Sequence, residues 1–67
     1  SSLKYIELIA FIKTNSRLPS ANKNGETKLY QFFYKQRKLF DKNKLESKEE
    51  IQLIEIAKIL QKIKYEN

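Results

Sequence analysis

The chain has 67 residues with no cysteine, no histidine, one glycine and one proline, and 14 lysines and arginines stand against 8 acids. This length suits one small domain. Without Cys or His there is no disulfide framework, no thiolate or imidazole catalysis and no ordinary zinc, iron or copper site. The formal net charge of +6 points to an anionic partner or to plain solubility, and composition alone does not separate them.

The sequence opens Ser1-Ser2 without a methionine, which reads as a processed or excised piece of a larger protein. It holds no signal-peptide core and no apolar run of about 18 residues or more, so a soluble, cytoplasmic domain with no membrane partner is expected. Forty per cent hydrophobic content with four Phe and four Tyr is enough for a compact core. Helices are the economical way to build it, because each makes its backbone hydrogen bonds internally.

A first helix is expected from about Leu3 to Thr14, with Ser2 as N-cap. Tyr5, Ile6, Leu8, Ile9 and Ile12 fall on one apolar arc, with Lys4 and Glu7 opposite. Phe11 falls on the polar side and needs a cover. Residues 15–26 (NSRLPSANKNGE) read as a long loop, and Leu18 before Pro19 must be extended. Packing of Leu18-Pro19 over Phe11 would account for both features.

A second helix is expected from Thr27, as N-cap, to about Lys42. Leu29, Phe32, Phe33, Leu39 and Phe40 share a face centred near Gln36, whose amide needs hydrogen-bond partners, expected from loop backbone. Away from that face, Lys28, Gln31, Lys35, Lys38 and Lys42 form one stripe, with Tyr30, Tyr34 and Arg37 beside it. After a turn at Asn43-Lys44, Leu45 should dip into the core. Ser47-Lys48-Glu49-Glu50 has the form of a capping box, with acids placed to suit the helix dipole. The third helix should run to Ile63 or Tyr65 with Leu53, Ile56, Ala57, Leu60 and Ile63 inward, leaving Ile51 and Ile54 off that face. The expected architecture is an all-α three-helix bundle with a long loop between helices 1 and 2.

Charge is unevenly placed along the chain. Residues 1–27 carry a net +2, residues 28–44 carry +5, and residues 45–67 carry −1. A solvated helix usually mixes Glu with Lys at i,i+4, whereas Asp41 is the only acid of helix 2. Lysines every three to four residues can neutralise successive phosphates and release counterions. Adjacent tyrosines can donate to phosphate or stack on bases, and Arg37 suits a bidentate phosphate or guanine contact. The candidate contact set is Lys28, Gln31, Tyr34, Lys35, Arg37, Lys38, Lys42 and Lys44, with no catalytic residue, cofactor or metal ligand. A helix-turn-helix fits poorly, because helices 1 and 2 are far apart in sequence and the first turn of helix 3 is acidic.

Leu29-Tyr30-Gln31-Phe32, then Gln36-Arg37 and Lys44-Leu45, resembles the helicase-associated domain. That family's pattern is a leucine, an aromatic three residues on, a Gln-Arg pair four and five beyond, and a Lys-Leu before the last helix. Phe11-Ile12 and Arg17-Leu18-Pro19 resemble its end of helix 1 and its hydrophobic-Pro loop, so the likeness runs from about Tyr5 to Leu60. Phe32 replaces the family's tryptophan, Asn15-Ser16 its His-Gly, and Asn43 its glycine. The resemblance implies a three-helix accessory domain of a bacterial superfamily 2 helicase. Its partners would be nucleic acid, with DNA favoured over RNA, and the helicase core of the parent chain. By position Gln36 and Arg37 match the family's pair, while Leu29, Phe32 and Leu45 match its core anchors. No P-loop can be built here, since the single glycine, Gly25, is followed by Glu26.

Two other classes compete. A protein-docking module would use Phe11, Ile51, Ile54 and Tyr65 as an apolar patch. A glycosidase-type enzyme would need two acids facing each other in a cleft, but Glu49 and Glu50 read as helix-capping residues and Glu7, Asp41 and Glu55 as solvated.

Overall fold

The computed structural model describes residues 2–66, which form three helices: α1 (Ser2–Asn15), α2 (Thr27–Asp41) and α3 (Ser47–Glu66). The all-α three-helix architecture is as expected, with residues 16–26 as the long connection. The side chain of Ser2, expected as a cap, lies outside the described residues.

Tyr5, Leu8 and Ile12 follow one another at helical spacing on α1, and all three are fully buried. They close on Ile56 of α3, and around these four pack Ile9, Leu18, Leu29, Phe32, Phe33, Ile59, Leu60 and Ile63. The Phe32 ring meets the Tyr5 ring edge-on, with centroids 4.9 Å apart. Burial of the phenol brings a polar group into the core, and its hydroxyl donates to Gln36 Oε1 at 3.3 Å. Gln36 is thereby the buried polar residue of the core, but its partner is Tyr5 and not the loop backbone. Burial, with a smaller contribution from the Glu49 carboxylate, pushes the Tyr5 phenol up to about 12, which keeps it a proton donor.

Several positions depart from the periodicity. Ile6 is 59% exposed because it lies at the margin of the α1 arc, beyond the reach of α2 and α3. Ile59, unassigned by its spacing, packs on the core, whereas Ala57 is exposed. Leu45, expected to dip into the core, is half-buried in the turn before α3. Thr27 does not cap α2: Glu26 holds that position, and the Thr27 hydroxyl instead donates within the loop, to the Ala21 and Lys23 carbonyls. The capping box at Ser47 is displaced as well. The Glu50 N–H donates to the Glu46 carbonyl at 2.9 Å, so α3 begins one residue earlier and Glu46 takes the cap position.

The long loop is held by one carboxylate. Glu26 accepts Arg17 Nη1 at 2.8 Å and Nη2 at 3.0 Å in a fork, and also the Ser20 N–H at 2.9 Å. Arg17 in turn donates to the Leu18 carbonyl and lays its guanidinium over the Phe11 ring, 5.2 Å from the centroid. Phe11 is therefore covered by Arg17. Leu18 goes to the core, and Pro19 is buried. The chain re-enters α2 through Gly25 at φ +84°, a conformation that glycine adopts without strain.

Two outcomes follow. Leu8→Ala should lower unfolding free energy by about 2–5 kcal/mol in urea titration, whereas Ile6→Ala should leave it within about 0.5 kcal/mol. The Arg17 fork, the Ser20 N–H and nearby Lys23 hold the Glu26 carboxyl at about 2, below its ordinary 4.5. Its stabilising contribution is therefore complete above the ordinary value and declines as pH falls toward the depressed one. Thermal melts between pH 5 and about 2 should show this loss, and Glu26→Gln should flatten that part of the profile.

Candidate nucleic-acid interface

The surface of α2 follows from what its opposite side must bury. With Leu29, Phe32, Phe33 and Gln36 turned to the core, helical geometry sends Lys28, Gln31, Lys35, Lys38 and Lys42 outward in one row. All eight residues expected in the contact set are exposed. Seven lie on α2 or at its C-cap, Lys42, and the eighth, Lys44, lies in the turn beyond.

That turn is built by backbone bonds. The Lys44 N–H donates to the Leu39 carbonyl at 2.8 Å and the Asn43 N–H to the Phe40 carbonyl at 2.9 Å. This is a Schellman ending, with Asn43 at φ +58° in the left-handed position. The hydrogen bonding fixes the backbone at Lys44, which continues the cationic series past the end of the helix.

Among the described residues, the ion pairs are Arg17–Glu26 and Arg37–Asp41. The latter is a loose i,i+4 contact at 3.8 Å between two well-exposed side chains. Lys28, Lys35, Lys38, Lys42 and Lys44 thus stand without a carboxylate partner. Like charges in one row repel one another, and an anion placed along the row relieves that repulsion.

Beside the lysines lies an aromatic ladder. The rings of Tyr30 and Tyr34 stack with centroids 5.9 Å apart and planes inclined by 16°. Lys38 Nζ sits 4.9 Å from the Tyr34 centroid, and Tyr34 is 50% exposed. Further around α2 comes Arg37, then Phe33 and Phe40, which line a groove of about 300 Å³ against α3. Leu53, Ile54, Ile56, Ala57 and Leu60 form its other side. Phe40, expected inward, is 38% exposed because α2 and α3 leave this groove open. Phe40 in the last turns of α2 and Ala57 at the edge of the α3 apolar face both line it, but their spacing alone does not show that the two helices leave it open. The i,i+4 spacing of Tyr30, Tyr34 and Lys38 was the signal for the ladder.

The Gln-Arg pair that prompted the family resemblance divides between two environments. Gln36 is buried against Tyr5, whereas Arg37 is exposed at the groove. The apolar set Phe11, Ile51, Ile54 and Tyr65 also divides: Phe11 is half-buried under Arg17, and the other three are exposed. Among the described residues, no group of three acidic side chains converges to hold a metal ion, and no helix is long and apolar enough to cross a membrane.

No family model matches the chain, and no curated protein or solved structure matches it either.

Proposed function

We propose that this domain is a non-catalytic nucleic-acid-binding unit that grips phosphates through the lysine row of α2. The observation that carries this reading is the row itself: five exposed lysines from Lys28 to Lys44 with no carboxylate partner among the described residues. Such an array gains by displacing condensed counterions from a polyanion. Gln31 adds an uncharged donor to the row, Tyr34 offers an exposed ring beside it, and Arg37, farther around α2, adds a planar fork.

The parent context we infer is a bacterial helicase, with this domain as an accessory to the ATP-driven core, in the cytoplasm and acting on DNA rather than RNA. Its support is the resemblance in Leu29, Phe32, Gln36-Arg37 and Lys44-Leu45 to helicase-associated domains. A second reading, docking to another protein, draws on the exposure of Ile51, Ile54 and Tyr65 on α3. Ile51 and Tyr65 belong to α3 and the lysine row to α2, so substitutions at these positions separate the two readings.

Lys35→Glu combined with Lys38→Glu should weaken binding to a labelled oligonucleotide by at least tenfold in low-salt fluorescence anisotropy while leaving the thermal melt cooperative. Wild-type affinity should fall steeply between about 50 and 200 mM salt, as it does when several phosphates are neutralised. Undiminished binding by the double variant would move the site off α2. Ile51→Glu with Tyr65→Glu should leave oligonucleotide binding intact.

A further inference from the structure

Three features of α2 follow one another around its circumference: the lysine row, the Tyr30–Tyr34 ladder, and the apolar groove with Arg37 at its edge. The order is one-sided. The lysines lie on one flank with aromatic rings next to them, and the other flank is an apolar recess whose one cation, Arg37, faces Asp41.

A double helix does not match that asymmetry. A helix seated in the major groove has a phosphate backbone on each wall, and cations on both of its flanks serve it best. Here the flank away from the lysines is occupied by Phe33, Phe40 and Ile54, with Asp41 beside Arg37. An unpaired strand has the same one-sidedness as α2, with phosphates along one edge and bases along the other.

We infer that the surface takes a single-stranded nucleic acid, its phosphates along the lysine row and its bases turned across Tyr30 and Tyr34 toward the groove. This inference rests on the phosphate-binding role proposed above and specifies the form of polymer bound. The half-exposed Tyr34 ring is already held parallel to Tyr30, so it offers an ordered stacking surface. Lys38, now lying over Tyr34, gives up that contact for a phosphate when a base takes its place on the ring. Arg37 can turn its planar group from the loose Asp41 contact onto a base edge or face. The apolar groove beyond receives the base that passes the tyrosines.

The test compares three labelled probes of about 12 nucleotides, within the span that single-strand-binding surfaces cover. They are oligothymidine, a strand of equal length with every base removed, and a duplex, all titrated at low salt. The abasic strand keeps the phosphates, so its difference from oligothymidine reads the bases alone. Oligothymidine should bind tightest, with the abasic strand weaker by about tenfold or more. Tyr34→Leu should reduce oligothymidine affinity by about tenfold and leave abasic and duplex binding unchanged, while Tyr34→Phe keeps the ring and the affinity. Circular dichroism verifies that both variants are folded. Equal binding of oligothymidine and abasic strand, or no effect of Tyr34→Leu, would overturn the single-strand inference while leaving phosphate binding in place. Absence of binding to all three probes would remove the phosphate-binding reading as well.

Discussion

The hydrogen bond between Tyr5 and Gln36 sets the arrangement of the rest. A domain of this size has few fully buried side chains, and one of them carries a hydroxyl. A buried hydroxyl without a partner costs about 1–3 kcal/mol, so the position of its acceptor is constrained. Gln36 meets that need only when α2 turns one rotational face toward α1. Phe32, one turn earlier on the same face, then meets the Tyr5 ring edge-on. Glu49, in the first turn of α3, acts electrostatically on the same phenol, so all three helices bear on Tyr5. The outward direction of every lysine on α2 is the other side of that constraint.

The loop between α1 and α2 shows how a long irregular segment is fixed without regular structure. One carboxylate gathers two guanidinium nitrogens and a backbone amide, and the same guanidinium covers an aromatic ring that α1 turns outward. Leu18 and Pro19 then supply the apolar contact that seats the loop on the bundle. Electrostatics sets the shape of the loop, and burial sets its position.

Helix number, order and most inward positions were legible because apolar residues recur at helical spacing in all three segments, most sharply in α2. What stayed hidden depended on partners distant in sequence. The acceptor for Tyr5 lies on α2, and Arg17 reaches Glu26 across the loop, so neither pairing has a local signature. Helix starts were misplaced for a related reason. Thr27 and Ser47 are good caps by residue type, but Glu26 and Glu46 hold the cap positions, and the Thr27 hydroxyl serves the loop instead. The candidate surface was readable as charge, since its lysines follow from the same periodicity that defines the core. The parallel setting of Tyr30 and Tyr34 and the groove beyond Arg37 required the relative placement of side chains and of α2 against α3.

The lysine row also bears on which folds the chain can avoid. A small bundle with short apolar faces has neighbouring packings in which one helix is rotated about its axis, and these differ little in hydrophobic contact. Rotation of α2 one way would carry Lys28 and Lys35 toward α1. Burial of an ammonium group without a counter-charge costs several kcal/mol, comparable with the whole stability of such a domain. These unneutralised charges thereby raise the energy of competing arrangements more than that of the native one. The same residues that offer a surface to a polyanion help to make the native packing unique.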